Sequence, residues 1–137
     1  MRPQPLIAVA DVEATSRWYQ TLLGVRSDHG GPEYDRLVDD DGVLVMQLHN
    51  WDVEHDHANL GDPHDPSRGN GVLLWFEIED FDGAVSRAAA LEAAVVLPLH
   101  RNPLEGEPGG PAHREIWLRD PNGYTVVLAS PDGEAAL

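Results

Sequence analysis

The side chains able to do chemistry in this chain gather in a few short segments. Gln47 and His49 stand two residues apart in an apolar run, so strand alternation puts both on one face. The nine residues from His49 to His57 then hold three histidines (His49, His55, His57) and three acids (Asp52, Glu54, Asp56), with Trp51 among them. Farther on, Trp75 alternates with Glu77, and His113 alternates with Glu115. Imidazoles beside carboxylates suit two kinds of chemistry. They can ligate a divalent metal, or they can move protons as general acid and base. His49 with Glu77 is the candidate acid-base pair. A metal site would draw on His49 with His113 or Glu115, or on Glu54, His55 and His57 in a loop. Plainer roles compete for the same residues. His49 fits a buried imidazole satisfied by a neighbour, Trp75 fits core packing, and Glu115 fits an ion pair with Arg114 or Arg119. A loop rich in His and Asp is usually a solvated surface.

The elements that must carry these residues occur twice. Leu6 to Asp11 is an apolar run closed by an acid, and Leu73 to Asp80 repeats it. A helix follows each. In the first, Asp11 is the N-cap, the apolar positions Val12, Thr15, Trp18, Tyr19, Leu22 and Leu23 share a face, and Gly24 stops the helix. The second covers about residues 81 to 93 from Asp80 or Asp82, with Phe81, Ala84, Val85, Ala88 and Leu91 on its apolar side. Strands follow both helices. A short one near Gly24 to Asp28 precedes a hairpin of Arg36 to Val38 and Val43 to His49, turned by Asp39-Asp40-Asp41-Gly42. Ala94 to Leu99, Glu115 to Arg119 and Tyr124 to Ala129 make the second set, the last two joined by Asp120-Pro121-Asn122-Gly123. The expected fold is α+β: two βαβββ modules, residues 5–50 and 72–130, in a single domain of residues 1–137. Residues 51–71 form a linker loop punctuated by Asp62-Pro63 and Asp65-Pro66.

Two matching half-sheets of this kind can enclose a cavity. Alternation assigns its lining to Gln4, Leu6 and Ala8, to Val45, Gln47 and His49, to Leu73, Trp75 and Glu77, and to Thr125 and Val127. A slip of one residue would exchange the whole set. Such a lining suits a small organic ligand with a few polar handles, and Trp75 or Trp51 offers a stacking face.

Composition removes several functions. The 137 residues contain no cysteine and no lysine, which excludes thiol catalysis, disulfides, Cys-based zinc sites and Schiff-base chemistry. A net charge of -15 argues against nucleic acid or anionic membrane as a partner. The sequence shows neither a membrane-span-length apolar run nor a signal-peptide pattern at its start, so the expected compartment is the cytoplasm.

Asp11, Arg17-Trp18-Tyr19 and Leu22-Leu23-Gly24 in the first half, with the run from Arg114 to Tyr124 in the second, resemble the vicinal oxygen chelate superfamily. That group includes glyoxalase I, bleomycin-resistance proteins and extradiol dioxygenases. The resemblance covers about residues 5 to 130. It implies a paired-module fold, a small-molecule ligand, a homodimer and, in most of its enzymes, a divalent metal. Its glyoxalase-like ligand positions correspond here to Gln4, Gln47, Leu73 and Val127. Two amides and two hydrocarbons make a poor transition-metal site. The expectation is therefore a binding protein whose usual metal site is degenerate. The alternative is a metal-dependent lyase, isomerase or dioxygenase whose site has shifted to His49, His113 or Glu115. The candidate ligand-binding residues are Gln4, Gln47, His49, Trp51, Trp75, Glu77, His113, Glu115 and Thr125.

Overall fold

In the computed structural model, residues 2–51, 63–65, 72–102 and 112–132 are described. The histidine pair His55 and His57, and most of the proposed linker, lie outside them. The chain forms two compact units, Met1–Arg68 and Gly69–Leu137.

In the first unit, the apolar run builds β1 (Leu6–Val9), and Asp11 opens α1 (Val12–Leu23). The Asp11 carboxylate accepts from the Ala14 N–H at 2.9 Å, satisfying one of the helix's free donors. Gly24 ends α1 at φ 67°, a left-handed conformation that costs glycine little. Next come β2 (Arg26–Ser27), β3 (Tyr34–Val38) and β4 (Leu44–Asn50), and the sheet runs β1-β4-β3-β2. β1 and β4 are parallel, with Leu6 opposite Gln47 and Ala8 opposite His49. β3 and β4 are antiparallel, with Tyr34 opposite His49 and Arg36 opposite Gln47.

Paired residues share a face, and the alternate set packs on α1. Ile7, Val9, Leu37, Met46 and Leu48 are buried, as are Val12, Tyr19 and Leu22 of the helix. Burial of each such large side chain is worth roughly 1.5–3 kcal/mol. Trp18 and Leu23 are only half-buried, and Ser16 takes a core position instead. The reason is polar. Ser16 donates at 2.5 Å to Asp35, a carboxylate 2% exposed on the helix-facing side of β3.

The second unit repeats the plan. β5 (Leu73–Glu77) leads to α2 (Phe81–Ala90), capped by Asp80, whose carboxylate accepts from Gly83 N–H at 3.0 Å. β6 (Ala94–Arg101), β7 (Arg114–Arg119) and β8 (Thr125–Ala129) complete a sheet of order β5-β8-β7-β6. The Asp120 carboxylate tightens the β7–β8 turn by accepting from Asn122 and Tyr124 N–H groups. Leu74, Ile116, Leu118, Val126 and Leu128 join Phe81, Ala84 and Ala88 in the core. Helix α2 is shorter than the apolar pattern suggests. Glu92, at φ 53°, reverses the chain, and Ala93 N–H bonds to Ala88 C=O.

Both sheets are open, and the described strand order is the same in each unit. Strand alternation separates two sheet faces in both units. Leu6, Ala8, Gln47 and His49 lie opposite the α1-packed set. Leu73, Trp75, Glu77, Thr125 and Val127 lie opposite the α2-packed set.

Candidate functional site

The helix-free face of the second unit centres on Glu115. Glu115, Trp117 and Arg119 of β7 pair with Ala129, Val127 and Thr125 of β8, and Trp75 of β5 pairs with Val127. Glu115 is 1% exposed, and a buried carboxylate must be compensated. Four side chains do so. His113 Nε2 stands 2.6 Å from Oε2 and His100 Nε2 stands 3.0 Å from Oε1. Trp117 Nε1 donates to Oε1 at 2.9 Å, and Asn102 Nδ2 approaches Oε2 at 3.4 Å. Burial alone would raise the Glu115 carboxyl. The bonds from His113, Trp117, Asn102 and His100 outweigh it and hold the group below its ordinary 4.5.

The two histidines differ. His100 Nδ1 lies 2.7 Å from Pro98 C=O, so both of its nitrogens face oxygens. His113 is bound to Glu115 through Nε2, and its ring meets the Trp75 indole edge-on at 5.5 Å between centroids. Trp75 itself is 43% exposed, which removes the core-packing role. Glu115 makes no ion pair with either neighbouring arginine. Alternation turns Arg114 to the other face, where it bonds Asp82 at 2.8 Å and covers the Phe81 ring. Arg119 bonds Gly123 C=O and Thr125 Oγ1.

In the first unit, Gln47 Oε1 accepts from Tyr34 O–H at 2.5 Å, and its Nε2 donates to Gln4 C=O at 3.1 Å. His49 Nδ1 lies 2.7 Å from Asn50 C=O, and its ring is 6.1 Å from that of Tyr34. Tyr34 also meets His29 edge-on. Gln4 is exposed and borders a groove of about 500 Å³ that includes Arg2, Arg36 and Asp41. Trp51 is half-buried at the end of β4. The proposed pair is divided between the units: His49 belongs to the first, and Glu77, exposed on β5, to the second.

The four positions implied for a metal do not fit one. Leu73 and Val127 offer hydrocarbon, and the amide oxygen of Gln47 already holds the Tyr34 hydroxyl. Among the described residues, no group of three or more His, Asp or Glu side chains is disposed to hold a metal ion. His100, His113 and Glu115 do meet, but the imidazoles address different carboxylate oxygens rather than a shared point.

The sequence reading missed His100, Asn102 and Trp117. Trp117 was readable, since it alternates with Glu115 on one strand. His100 required β6 to continue past Leu99. The shifted register around Pro98 brings His100 opposite Glu115. Asp35 was also missed; beside Arg36 in a short polar-apolar strand, its sequence gives no signal that it is the buried one. Burial raises its carboxyl, but Ser16, Gly30 N–H, Ser27 and Arg36 N–H more than offset this, and it too is lowered.

Over residues 3–128 the sequence matches the Glyoxalase/Bleomycin resistance protein/Dioxygenase superfamily, and the chain belongs to it. Solved structures share the fold at low identity. A glyoxalase/bleomycin resistance protein/dioxygenase family enzyme from Burkholderia phytofirmans PsJN is 17% identical with a TM-score of 0.70, covering 93% of this chain and 95% of that one. Lactoylglutathione lyase from Agrobacterium tumefaciens is 17% identical with a TM-score of 0.64, covering 96% and 93%. TioX from Micromonospora sp. ML1 is 20% identical with a TM-score of 0.61, covering 95% and 98%. No curated protein matches the sequence. Among the described residues, no helix is long and apolar enough to cross a membrane.

Proposed function

We propose that the protein binds a small organic ligand on its helix-free sheet faces, with Trp75, His113 and Glu115 at the principal site. One observation carries this reading. A large, exposed indole stands beside an imidazole locked to a buried carboxylate. An exposed aromatic backed by fixed polar groups is a rigid contact surface, so a planar ligand loses little entropy in meeting it. Trp51, Thr125 and Glu77, with Gln4, Gln47 and His49 of the first unit, are further contact candidates. The bland degeneration of the usual metal positions supports a binder over a glyoxalase. The acidic chain favours neutral or cationic ligands over nucleic acid, and a cytoplasmic homodimer remains part of the proposal.

The test is a ligand screen read by tryptophan fluorescence and thermal shift, run beside metal analysis of untagged, dialysed protein. Ligands that quench the wild type but not Trp75→Ala would support the reading. Loss of Trp75 without effect on any ligand found would sink it. One equivalent of a single divalent ion would instead favour a metal-dependent lyase, isomerase or dioxygenase with a relocated site. Sedimentation equilibrium tests the dimer, and a strict monomer would remove it.

A further inference from the structure

The geometry points to His113 as a general base, oriented by Glu115, that takes a proton from a small planar carbon acid lying against Trp75. This rests on the ligand-binding reading of the same face.

The argument is one of donors and acceptors. An ionised carboxylate only accepts, so the 2.6 Å contact requires His113 to carry its proton on Nε2. In the neutral imidazole, Nδ1 then keeps its lone pair. Among the described residues it has no hydrogen-bond partner. The side chain is 12% exposed, so it is not wholly closed off from a ligand. His100 does not share this property, because its Nδ1 faces Pro98 C=O and its Nε2 faces Glu115. Among the described residues, His113 is the one of these two imidazoles with a nitrogen left for a substrate.

Glu115 has two effects on such a base. It fixes the tautomer, and its negative charge stabilises the imidazolium formed when Nδ1 takes a proton. Trp75 sets the ligand class, since its exposed indole offers a flat apolar surface beside the imidazole. In the step itself, the Nδ1 lone pair takes the proton from a C–H bond. The C–H electron pair passes into an adjacent electron-withdrawing group, and the proton later leaves to water. No oxidant or second substrate is needed.

5-Nitrobenzisoxazole is a suitable probe: it is planar and neutral, and it reacts by this step alone. Base removes its C3 proton, the C–H pair forms the nitrile, and the N–O bond breaks to release a coloured phenolate. The unreactive 5-nitroindazole reports binding through tryptophan quenching. The expected result is turnover by the wild type, with kcat lowered about 100-fold or more in His113→Gln at little change in KM, within the range for a general base. 5-Nitroindazole should still bind His113→Gln, because Trp75 remains to receive it. Equal turnover by wild type and His113→Gln, with 5-nitroindazole still bound, would overturn the base and leave the binding reading intact. No binding of 5-nitroindazole to either would remove the planar ligand class, and the proposal with it. Ring 15N NMR of the wild type gives a ligand-free check. The proton should be on Nε2 of His113, and a proton on Nδ1 instead would overturn the assignment. Glu115→Gln tests the positioning residue. It should lower kcat and change the pH profile, and unaltered kcat and profile would count against the orienting role.

Discussion

Glu115 concentrates the electrostatics of the second unit in one side chain. Replacing it with Ala leaves two imidazoles and an indole N–H around a site that no longer accepts from them. Stranding such donors costs about 2–4 kcal/mol. Urea denaturation of Glu115→Ala should show that loss, and a change under 0.5 kcal/mol would mean that water or rotation satisfies the donors. The pH dependence follows from the lowered carboxyls of Glu115 and Asp35. A depressed folded-state value means that the unfolded chain binds protons more readily. The stability it provides is complete above the ordinary values of 4.5 and 3.8, and it is lost as pH falls through the folded ones. Wild-type stability should therefore drop on acidification below about pH 4.5. Asp35→Asn and Glu115→Gln should each start lower at neutral pH and flatten that drop. A parallel drop in both variants would place the acid sensitivity elsewhere.

The helices and strands were largely legible because each is signalled by several features at once. Asp11 and Asp80 cap, Gly24 terminates, and alternation along β4, β5 and β7 separates the two sheet faces. The strand ends were less legible because they depend on contacts distant in sequence. β3 begins at Tyr34, where pairing with His49 adds two residues that local pattern does not mark. β6 continues to Arg101 through Pro98 and a register shift, against the usual exclusion of proline from strands. As an edge strand it can accommodate that proline, and the continuation is what delivers His100 to the site. The end of α2 was misread for a different reason. Alanines favour helix through Ala93, but Glu92 turns left-handed and closes the element early. A non-glycine residue pays about 1–2 kcal/mol for that conformation. Glu92→Gly should recover part of it, raising stability by about 0.5–1 kcal/mol after the extra unfolded-state freedom of glycine. Thermal denaturation reads this directly, and a lowered Tm would mean that the Glu92 side chain makes a stabilising contact of its own.

The duplication explains both what the two units share and where their chemistry divides. Leu6 and Trp75 each lie five residues before a capping aspartate and pair with Gln47 and Val127, so the positions correspond. By the same register, Tyr34 of the first unit matches Glu115 of the second. One sheet thus carries a hydroxyl–amide pair where the other carries an anion ringed by donors. The surface charge follows a different rule, set by composition alone. With 24 acids against 9 arginines, the net charge is -15, and ion pairs such as Arg114 with Asp82 relieve the repulsion only locally. Like charges on a compact body repel more strongly than on an expanded chain, so folding works against this charge. Salt shortens the reach of that repulsion to about 10 Å at 0.1 M. The Tm should therefore rise by a few degrees between 10 mM and 300 mM sodium chloride, since a shift of 1 kcal/mol moves a domain of this size by roughly 3–6 °C. Choline chloride should act alike, because screening does not depend on the cation's chemistry. A rise confined to one divalent salt would point to specific binding, and a fall in Tm would mean that local ion pairs outweigh the net charge.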